Sequence, residues 1–143
     1  MLREIVPPDT GLAFAAMREL RTHLSSLGAF LEQVDSVQRP AGYWLVGVLP
    51  GDGSDAVAVV GFRLSISLSW GRHIYIDDLS TVPCARRRGF ASELLGWIHD
   101  EAERLGCDQV HLDSGVGPSR RAAHRLYLNS GYVISADHVA RCS

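Results

Sequence analysis

The sequence has few of the features that direct a chain to a membrane or to a disulfide-stabilised fold. No apolar stretch in its 143 residues approaches the roughly 20 residues that span a bilayer. The opening segment, MLREIVPPDT, has no cationic start followed by an apolar run, which argues against a signal peptide. The three cysteines, Cys84, Cys107 and Cys142, are odd in number and widely spaced, as is typical of free thiols. These absences predict a cytoplasmic protein.

Excess positive charge and metal-binding spacings are missing as well. Fourteen Lys and Arg against 16 Asp and Glu give a net charge of −2, which argues against a dedicated nucleic-acid binder. The six histidines show no HxH or HxxxH spacing, so we expect no metal site. The basic residues that do cluster lie at positions 86–88 and among Arg120, Arg121 and Arg125. Clusters this local favour a small anionic partner.

The first half of the chain has the patterning of helices followed by an antiparallel sheet. A composition of 46% hydrophobic and 21% charged residues predicts one globular domain over residues 1–143. Helical spacing of apolar residues predicts a first helix capped by Asp9 or Thr10 and a second helix over residues 26–38. Three strands should follow in a meander, over residues 43–49, 56–69 and 73–82. The second of these has its apolar residues on one face: Phe62, Leu64, Ile66 and Leu68.

The second half alternates helix and strand. A stripe of apolar residues from Phe90 to Leu105 predicts a long helix that Gly106 ends. A strand over residues 108–113, a helix over 120–130 with Ser119 as its cap, and a final hairpin or pair of strands over 132–141 should follow. The strand–helix–strand order implies a parallel pair. The sequence therefore predicts an α/β fold with a mixed, mostly antiparallel sheet, a central parallel strand pair and about four flanking helices.

The segment ARRRGFASELL, residues 85–95, places three arginines at the start of that long helix. A helix N terminus presents unpaired N–H groups and the positive end of the helix dipole. Arginines there oppose the dipole unless a bound anion supplies negative charge. Gly89 allows a backbone conformation closed to other residues and a close ligand approach. A phosphate or diphosphate fits this pattern, with a solvated arginine patch as the alternative. Neither the GxxxxGK[ST] nor the GxGxxG nucleotide motif is present.

These residues resemble the signatures of the GNAT superfamily of N-acetyltransferases. The loop Arg86-x-x-Gly89-x-Ala91 resembles the family's Q/R-x-x-G-x-G/A loop. The preceding LSTVP resembles its L-x-V-x-P strand end, with Thr81 where Val is commoner. The later stretch AHRLYLNSGY, residues 123–132, is similar to its A-x-x-F/L-Y-x-x-x-G-F helix. The likeness extends from about Tyr43 to the end of the chain and implies a GNAT-like fold.

The resemblance implies an acetyl-CoA-dependent acyltransferase that acetylates a primary amine by direct attack in a ternary complex. The family's loop binds the diphosphate through main-chain N–H groups, here those of Arg87, Arg88, Gly89, Phe90, Ala91 and Ser92. Its strand end pairs with the pantetheine arm through the main chain, here that of Leu79, Thr81 and Val82. On the later helix the implied cofactor contacts are Ser119, Arg120 and Ala123. Arg120 stands where the family often has a pantetheine-binding Asn, so Ser119 or Arg120 would supply a substitute contact.

Acetyl transfer to an amine needs a proton acceptor and a proton donor. Asp77 and Asp78 lie just upstream of the loop, and adjacent strand positions point to opposite faces, so we expect at most one to face the acceptor. The resemblance favours Asp77 as the base or as the anchor of a proton-carrying water, with Asp78 left as the other candidate. Tyr127 matches the tyrosine that protonates the departing thiolate, with a core aromatic as the alternative.

Other functions and the acceptor stay open. The alternative function is a non-catalytic acyl-CoA-binding regulatory module, and a nucleotide-binding protein is a third possibility. Acidic residues hint at a cationic amine acceptor: Glu19, Glu32, Asp35 and Asp77. A polyamine, an aminoglycoside, a protein N terminus and a lysine are all compatible with that. We expect no nucleic-acid or membrane partner, and the resemblance leaves room for a homodimer.

Overall fold

The computed structural model describes residues 1–114 and 120–142. The chain divides into two compact units, residues 1–111 and 112–143. The first unit holds the sheet, except for the last residue of its final strand. The strands are β1 (Leu2–Glu4), β2 (Tyr43–Val48), β3 (Ala58–Ser67), β4 (Gly71–Thr81) and β5 (Gln109–Leu112). They lie in the order β1-β2-β3-β4-β5, antiparallel from β1 to β4 and parallel between β4 and β5. The predicted mixed sheet is confirmed, with one extra strand at the N terminus.

Three helices belong to the first unit. They are α1 (Phe14–Leu20), α2 (Leu27–Leu31) and α3 (Phe90–Arg104), and α2 continues as a π-helical turn over Glu32–Gln38. Ser26 caps α2, since its hydroxyl accepts from the Ala29 N–H at 3.1 Å. The predicted cap at Asp9 or Thr10 is wrong, because those residues form a 3₁₀ turn, Asp9–Ala13, without a side-chain cap. Thr10 is buried instead, and its hydroxyl donates to Asp35 at 2.8 Å.

The core of this unit lies on both faces of β2 and β3. Leu45, Val46, Val59 and Val60 are fully buried, as expected of central strands with helices on either side. Helices α1 and α2 and the π-helical turn contribute to one cluster: Ala16, Met17, Phe30 and Val34. Helix α3 buries Leu94, Leu95 and Ile98, as its apolar stripe predicts, and Gly106 follows it with φ +72°. Each such side chain contributes about 1.5–3 kcal/mol when fully buried.

The stretch 56–69, with its apolar residues on one face, forms β3. Towards the end of the strand that apolar face is no longer buried in the core. Phe62 is 1% exposed and packs 5.9 Å from the Trp97 ring of α3. Farther on, Ile66 is 73% exposed, and Leu68 lies beyond the end of the strand with its side chain in solvent. Alternation alone therefore identified the strand correctly, but not how far the core extends along it.

A β-bulge interrupts the pairing of β3 with β4. Gly61 pairs with Asp78 and the next residue, Phe62, pairs with Ile76. Asp77 is therefore the extra residue on β4. A bulge breaks the strict alternation of side chains and re-aims those next to it.

The second unit contains α4 (Arg121–Asn129), which is followed by Gly131 with φ +91°. The predicted helix is thus confirmed, while its predicted cap, Ser119, lies outside the described residues. The predicted final hairpin is wrong, since residues 132–142 form no strand. The segment SADH between the apolar pairs has no Gly or Asn-Gly to make a tight turn. None of the described helices is both long and apolar enough to cross a bilayer.

Candidate active site

A pocket of about 410 Å³ opens in the first unit, bounded by α1, α2 and its π-helical turn on one side and strands β2 to β4 on the other. Apolar side chains on the helices contribute part of the lining: Met17, Leu24, Phe30 and Val34. Two arginines and two aspartates line it as well, together with other mostly polar residues: Arg21, Arg63, Asp77, Asp78, His23, Gln33, Gln38, Ala41 and Tyr43. We refer to this cavity as the Asp77 pocket. Its size suits a small organic molecule.

Both adjacent carboxylates, Asp77 and Asp78, line this pocket. This shared position is contrary to the expectation that the two adjacent side chains point to opposite faces of the strand, while which of them faces the acceptor stays a prediction. The physical cause of the shared position is the bulge, in which Asp77 is the unpaired residue and alternation is suspended. The apolar residues of β4 carry a signal for this insertion, since Ile74 and Ile76 lie two positions apart whereas Leu79 follows three positions later.

Asp77 is held by a two-pronged ion pair with Arg63. The Arg63 Nε and Nη2 groups donate to the two carboxylate oxygens at 2.7 and 2.8 Å. Arg63 also lies over the Tyr75 ring, with its guanidinium carbon 5.5 Å from the ring centroid. The hydrogen bond to Asp77 raises the pKa of Arg63 above its already high value. The orientation of the Asp77 carboxylate is thus fixed by a planar, permanently charged partner.

Asp78 is held by two different donors. Arg21 Nε donates to one carboxylate oxygen at 2.8 Å, and the Tyr43 hydroxyl donates to the other at 2.7 Å. Arg21 Nη2 also donates to the main-chain carbonyl of Asp77 at 2.7 Å, so this side chain binds the bulge itself. Burial, followed by the charge of Asp78, raises the pKa of Tyr43 well above its usual value. Tyr43 therefore remains a donor to Asp78 at physiological pH.

Gly61 makes the Tyr43–Asp78 contact possible. A Cβ built on Gly61 would overlap the hydroxyl and ring of Tyr43, whose side chain is buried. Gly61 also pairs with Asp78 at the bulge. Because glycine has no side chain, the phenol can lie directly on the strand and reach the carboxylate.

Gly61→Ala is expected to lower the free energy of unfolding by about 2 kcal/mol, since it forces a buried ring out of its position. Urea denaturation followed by tryptophan fluorescence measures this. The matched control is Gly28→Ala, because Gly28 is an exposed helical glycine with open space around its Cα. That control should be neutral or slightly stabilising. Equal effects of the two substitutions would contradict the packing of Tyr43 on Gly61.

The arginine–glycine loop, residues 85–92, has the backbone of an anion site. Arg87 and Gly89 both have left-handed φ values, +65° and +81°. Gly89 is the N-cap of α3, and no side chain caps that helix. Residues 86–89 are exposed to solvent. Left-handed turns direct successive N–H groups to one side, an arrangement that binds anions, and the helix dipole adds to it. These residues fit the predicted diphosphate.

The edge of β4 that faces β5 is only partly occupied. β4 pairs with β3 along its whole length. On its other side β5 has four residues against eleven in β4, and Asp108 N–H, just before β5, donates to Arg72 O near the start of β4. Leu79 and Thr81 lie at the far end of β4. Their contact with the pantetheine arm stays a prediction. The predicted contact of Val82 also stays a prediction, although its N–H already donates to the Val57 carbonyl at 2.9 Å and its carbonyl accepts from the Ala85 N–H at 3.0 Å.

The second unit contains the remaining predicted contacts that the structure describes, Tyr127, Arg120 and Ala123. Tyr127 is half-buried on α4, and its ring centroid lies 6.1 Å from that of Tyr132. Burial raises the pKa of Tyr127, and the charge of Arg120 opposes that rise. Arg120 Nε is buried and has no hydrogen-bond partner within the described ranges. A buried donor without a partner fits a contact to a bound ligand.

Sequence reasoning overestimated the acidic character of the site and missed three residues that shape it. Glu19 and Glu32 are exposed and do not line the pocket, and Asp35 binds Thr10 and Arg39 instead. The missed residues are Arg21, Tyr43 and Arg63. Arg63 gave a signal, since it is the single charged residue among serines on the polar face of β3. The other two gave none.

The profile of the Acetyltransferase (GNAT) family matches residues 14–132, and the chain belongs to that family of acyltransferases. An uncharacterized N-acetyltransferase of Bacillus subtilis (strain 168) is 29% identical over 125 residues, which are 87% of this chain and 84% of that protein. The aminoalkylphosphonate N-acetyltransferase of Salmonella typhimurium is 26% identical over 133 residues, 92% and 83% of the two chains. The structure of an aminoglycoside N-acetyltransferase, AAC(6')-Iy, in complex with CoA aligns with a TM-score of 0.80 at 12% identity, over 100% of this chain and 93% of that one. The structural likeness confirms the predicted GNAT-like fold.

Proposed function

We propose that this acyltransferase moves the acetyl group of acetyl-CoA to a primary amine by direct attack in a ternary complex. The observation that carries the proposal is the course of β4. Its bulge presents Asp77 to a pocket of about 410 Å³, and the same strand then leads into the left-handed turn before α3. The proposed amine site and the proposed anion site would thus lie along one continuous segment of the first unit.

Main-chain groups of the arginine–glycine loop would hold acetyl-CoA by its diphosphate. The donors are the N–H groups of residues 87–92, supported by the dipole of α3. Leu79 and Thr81 would pair with the pantetheine arm at the partly occupied edge of β4. In the second unit, the Nε donor of Arg120 would replace the side-chain amide of the asparagine that the family often has at this position. Acetyl-CoA supplies an acetyl group activated as a thioester. The residues of the chain would have to bind the amine, remove its proton and protonate the departing thiolate.

The amine must lose a proton before it can attack. An alkylamine has a pKa of roughly 10.4 and is almost entirely protonated at neutral pH. The Asp77 carboxylate would receive this ammonium and accept its proton directly or through a bound water. Each of its oxygens accepts one hydrogen bond from Arg63 and retains capacity for another. The Salmonella relative is named for an amine substrate, which supports an amine acceptor here.

Tyr127→Phe is expected to lower kcat about tenfold, which is less than the usual loss for a general acid. The reason is that a thiol has a pKa of roughly 8.5, so its thiolate is a reasonably good leaving group without a proton donor. Burial raises the pKa of Tyr127, so the residue keeps its proton throughout the range in which the enzyme is assayed. In the wild type, ionisation of Tyr127 should therefore cause no loss of kcat between neutral and mildly alkaline pH. Steady-state rates of both proteins across that range test this. An unchanged kcat in the variant would remove the acid role.

The proposed function is tested by following CoA thiol release from acetyl-CoA in the presence of a panel of primary amines. Mass spectrometry of the amine should show the gain of one acetyl group for each thiol released. Acetyl-CoA binding without turnover of any amine would contradict the proposal and favour the non-catalytic module. We also propose a cytoplasmic location, which the free thiols of Cys84, Cys107 and Cys142 support.

A further inference from the structure

The charges that line the Asp77 pocket are balanced rather than acidic. Two carboxylates, Asp77 and Asp78, are matched by two guanidiniums, Arg21 and Arg63. A polyamine would bring several cations into a lining that has no net negative charge to receive them. Opposite charges in one small site favour a ligand that itself carries both signs.

Arg21 retains hydrogen-bonding capacity after its contacts within the protein. Its Nε donates to Asp78 and its Nη2 donates to the Asp77 carbonyl. Its Nη1 has no hydrogen-bond partner in the part of the chain that the structure describes. The side chain is 43% exposed, whereas that of its partner Asp78 is 12% exposed. Arg21 is thus fixed at two points on the bulge and still has a charged donor for a ligand in the pocket that it lines.

The remaining lining limits the size and shape of that ligand. Met17, Leu24, Phe30 and Val34 provide apolar surface from the helices. A cavity of about 410 Å³ lies near the lower end of the range for organic ligands. A short aliphatic spacer between an amine and an anionic group suits these dimensions, with the amine at the carboxylates and the anion at the guanidiniums.

We infer that the acceptor is a small amine that also bears an anionic group, a carboxylate or a phosphonate, and that Arg21 is the residue that selects for it. The inference rests on the proposed function, because it names the acceptor class for that reaction. Arg21 acts on the anion of the acceptor, and Asp77 acts on the amine. The carboxylate and the phosphonate share the chemistry that a guanidinium recognises, and the planar donors of arginine suit both.

The test compares acceptors of similar size that differ in charge. β-Alanine and aminoethylphosphonate carry the anion, β-alaninamide lacks it, and putrescine replaces it with a second cation. The wild type should favour an anionic acceptor over β-alaninamide by about tenfold or more in kcat/KM, the value of one hydrogen bond between charged groups. A preference for β-alaninamide or putrescine would overturn the inference while leaving the proposed function intact.

Variants assign the preference to Arg21. Arg21→Gln should reduce the ratio of anionic to neutral acceptor to near one, and Arg21→Lys, which keeps the charge beside Asp78, should give an intermediate ratio. Arg18→Gln is the matched control, since Arg18 is exposed on α1, three residues before Arg21, and does not line the pocket. It should keep the wild-type ratio. A ratio that is unaffected in both Arg21 variants would overturn the inference.

A second measurement separates the two proposals. Calorimetry in the presence of CoA gives the affinities for β-alanine, aminoethylphosphonate and β-alaninamide without requiring turnover. If no amine is acetylated, the proposed function fails, and tighter binding of an anionic amine than of the amide would support only the part of the inference that concerns which ligand the pocket selects. Equal affinities for the three ligands would overturn it.

Discussion

Gly89→Val is expected to weaken acetyl-CoA binding at least about 100-fold, which corresponds to roughly 2.7 kcal/mol of binding free energy. Gly89 has φ +81° at the N-cap of α3, where a β-branched residue is strained. The variant would relieve this strain by rotating the turn, and the N–H groups of the arginine–glycine loop would then no longer converge. Loss of one or two hydrogen bonds to a charged phosphate accounts for the magnitude. Calorimetric titration with acetyl-CoA provides the measurement.

The control for this experiment lies on the same helix. Gly96 is in the interior of α3, where an added Cβ meets open space. Gly96→Ala should leave acetyl-CoA affinity unchanged and stabilise the helix by about 0.5–1 kcal/mol. Full affinity in Gly89→Val, with the fold verified by circular dichroism, would remove the arginine–glycine loop as the diphosphate site.

The features of this molecule that could be predicted from its sequence are those encoded locally. The stripe from Phe90 to Leu105 specifies α3, because it repeats with the helical period over the whole element. The glycine before that helix predicts the left-handed turn, which the structure confirms at Gly89. These signals involve neighbours in the sequence, so they are readable without knowledge of what packs against them.

The shape of the Asp77 pocket could not be predicted because it depends on distant residues. The Tyr43 hydroxyl reaches Asp78 across 35 positions of sequence, and Arg21 Nε reaches it across 57. The bulge places Asp77 beside Asp78 on the pocket lining, whereas strand alternation would separate them. Tertiary contacts of this kind override local periodicity. The wrong hairpin over residues 132–141 has a different, local cause, since the segment SADH between its apolar residues lacks the glycine that a tight turn needs.

The two carboxylates of the pocket differ in what holds them, and this difference indicates different roles. Asp78 is 12% exposed, and its donors are a buried phenol and Arg21. Asp77 is 26% exposed and bound by Arg63 alone among the side chains that the structure describes. Asp78 therefore stabilises the bulge and positions Arg21, while Asp77 is the more accessible carboxylate for the amine that we propose to enter the pocket.

Asp77→Asn is expected to lower kcat/KM at neutral pH about 100- to 1,000-fold, within the range for loss of a general base. The ion pair with Arg63 is partly open to solvent and contributes on the order of 1 kcal/mol, so the fold should persist. Without the carboxylate, only amine that is already neutral in solution reacts. The rate of the variant should therefore rise about tenfold per pH unit until the amine pKa of roughly 10.4, whereas that of the wild type should level off earlier. Rates measured across this pH range supply the test.

Two further variants decide which carboxylate is responsible. Asp100→Asn removes an exposed carboxylate on α3 and should preserve both the rate and its pH profile. Asp78→Asn leaves Tyr43 and Arg21 without their charged partner, so it should mainly lower the free energy of unfolding. The steep pH profile is the specific signature, because a structural defect lowers the rate at every pH alike. If that profile appeared in Asp78→Asn and not in Asp77→Asn, the base would be Asp78, and Asp77 with Arg63 would serve to hold the bulge.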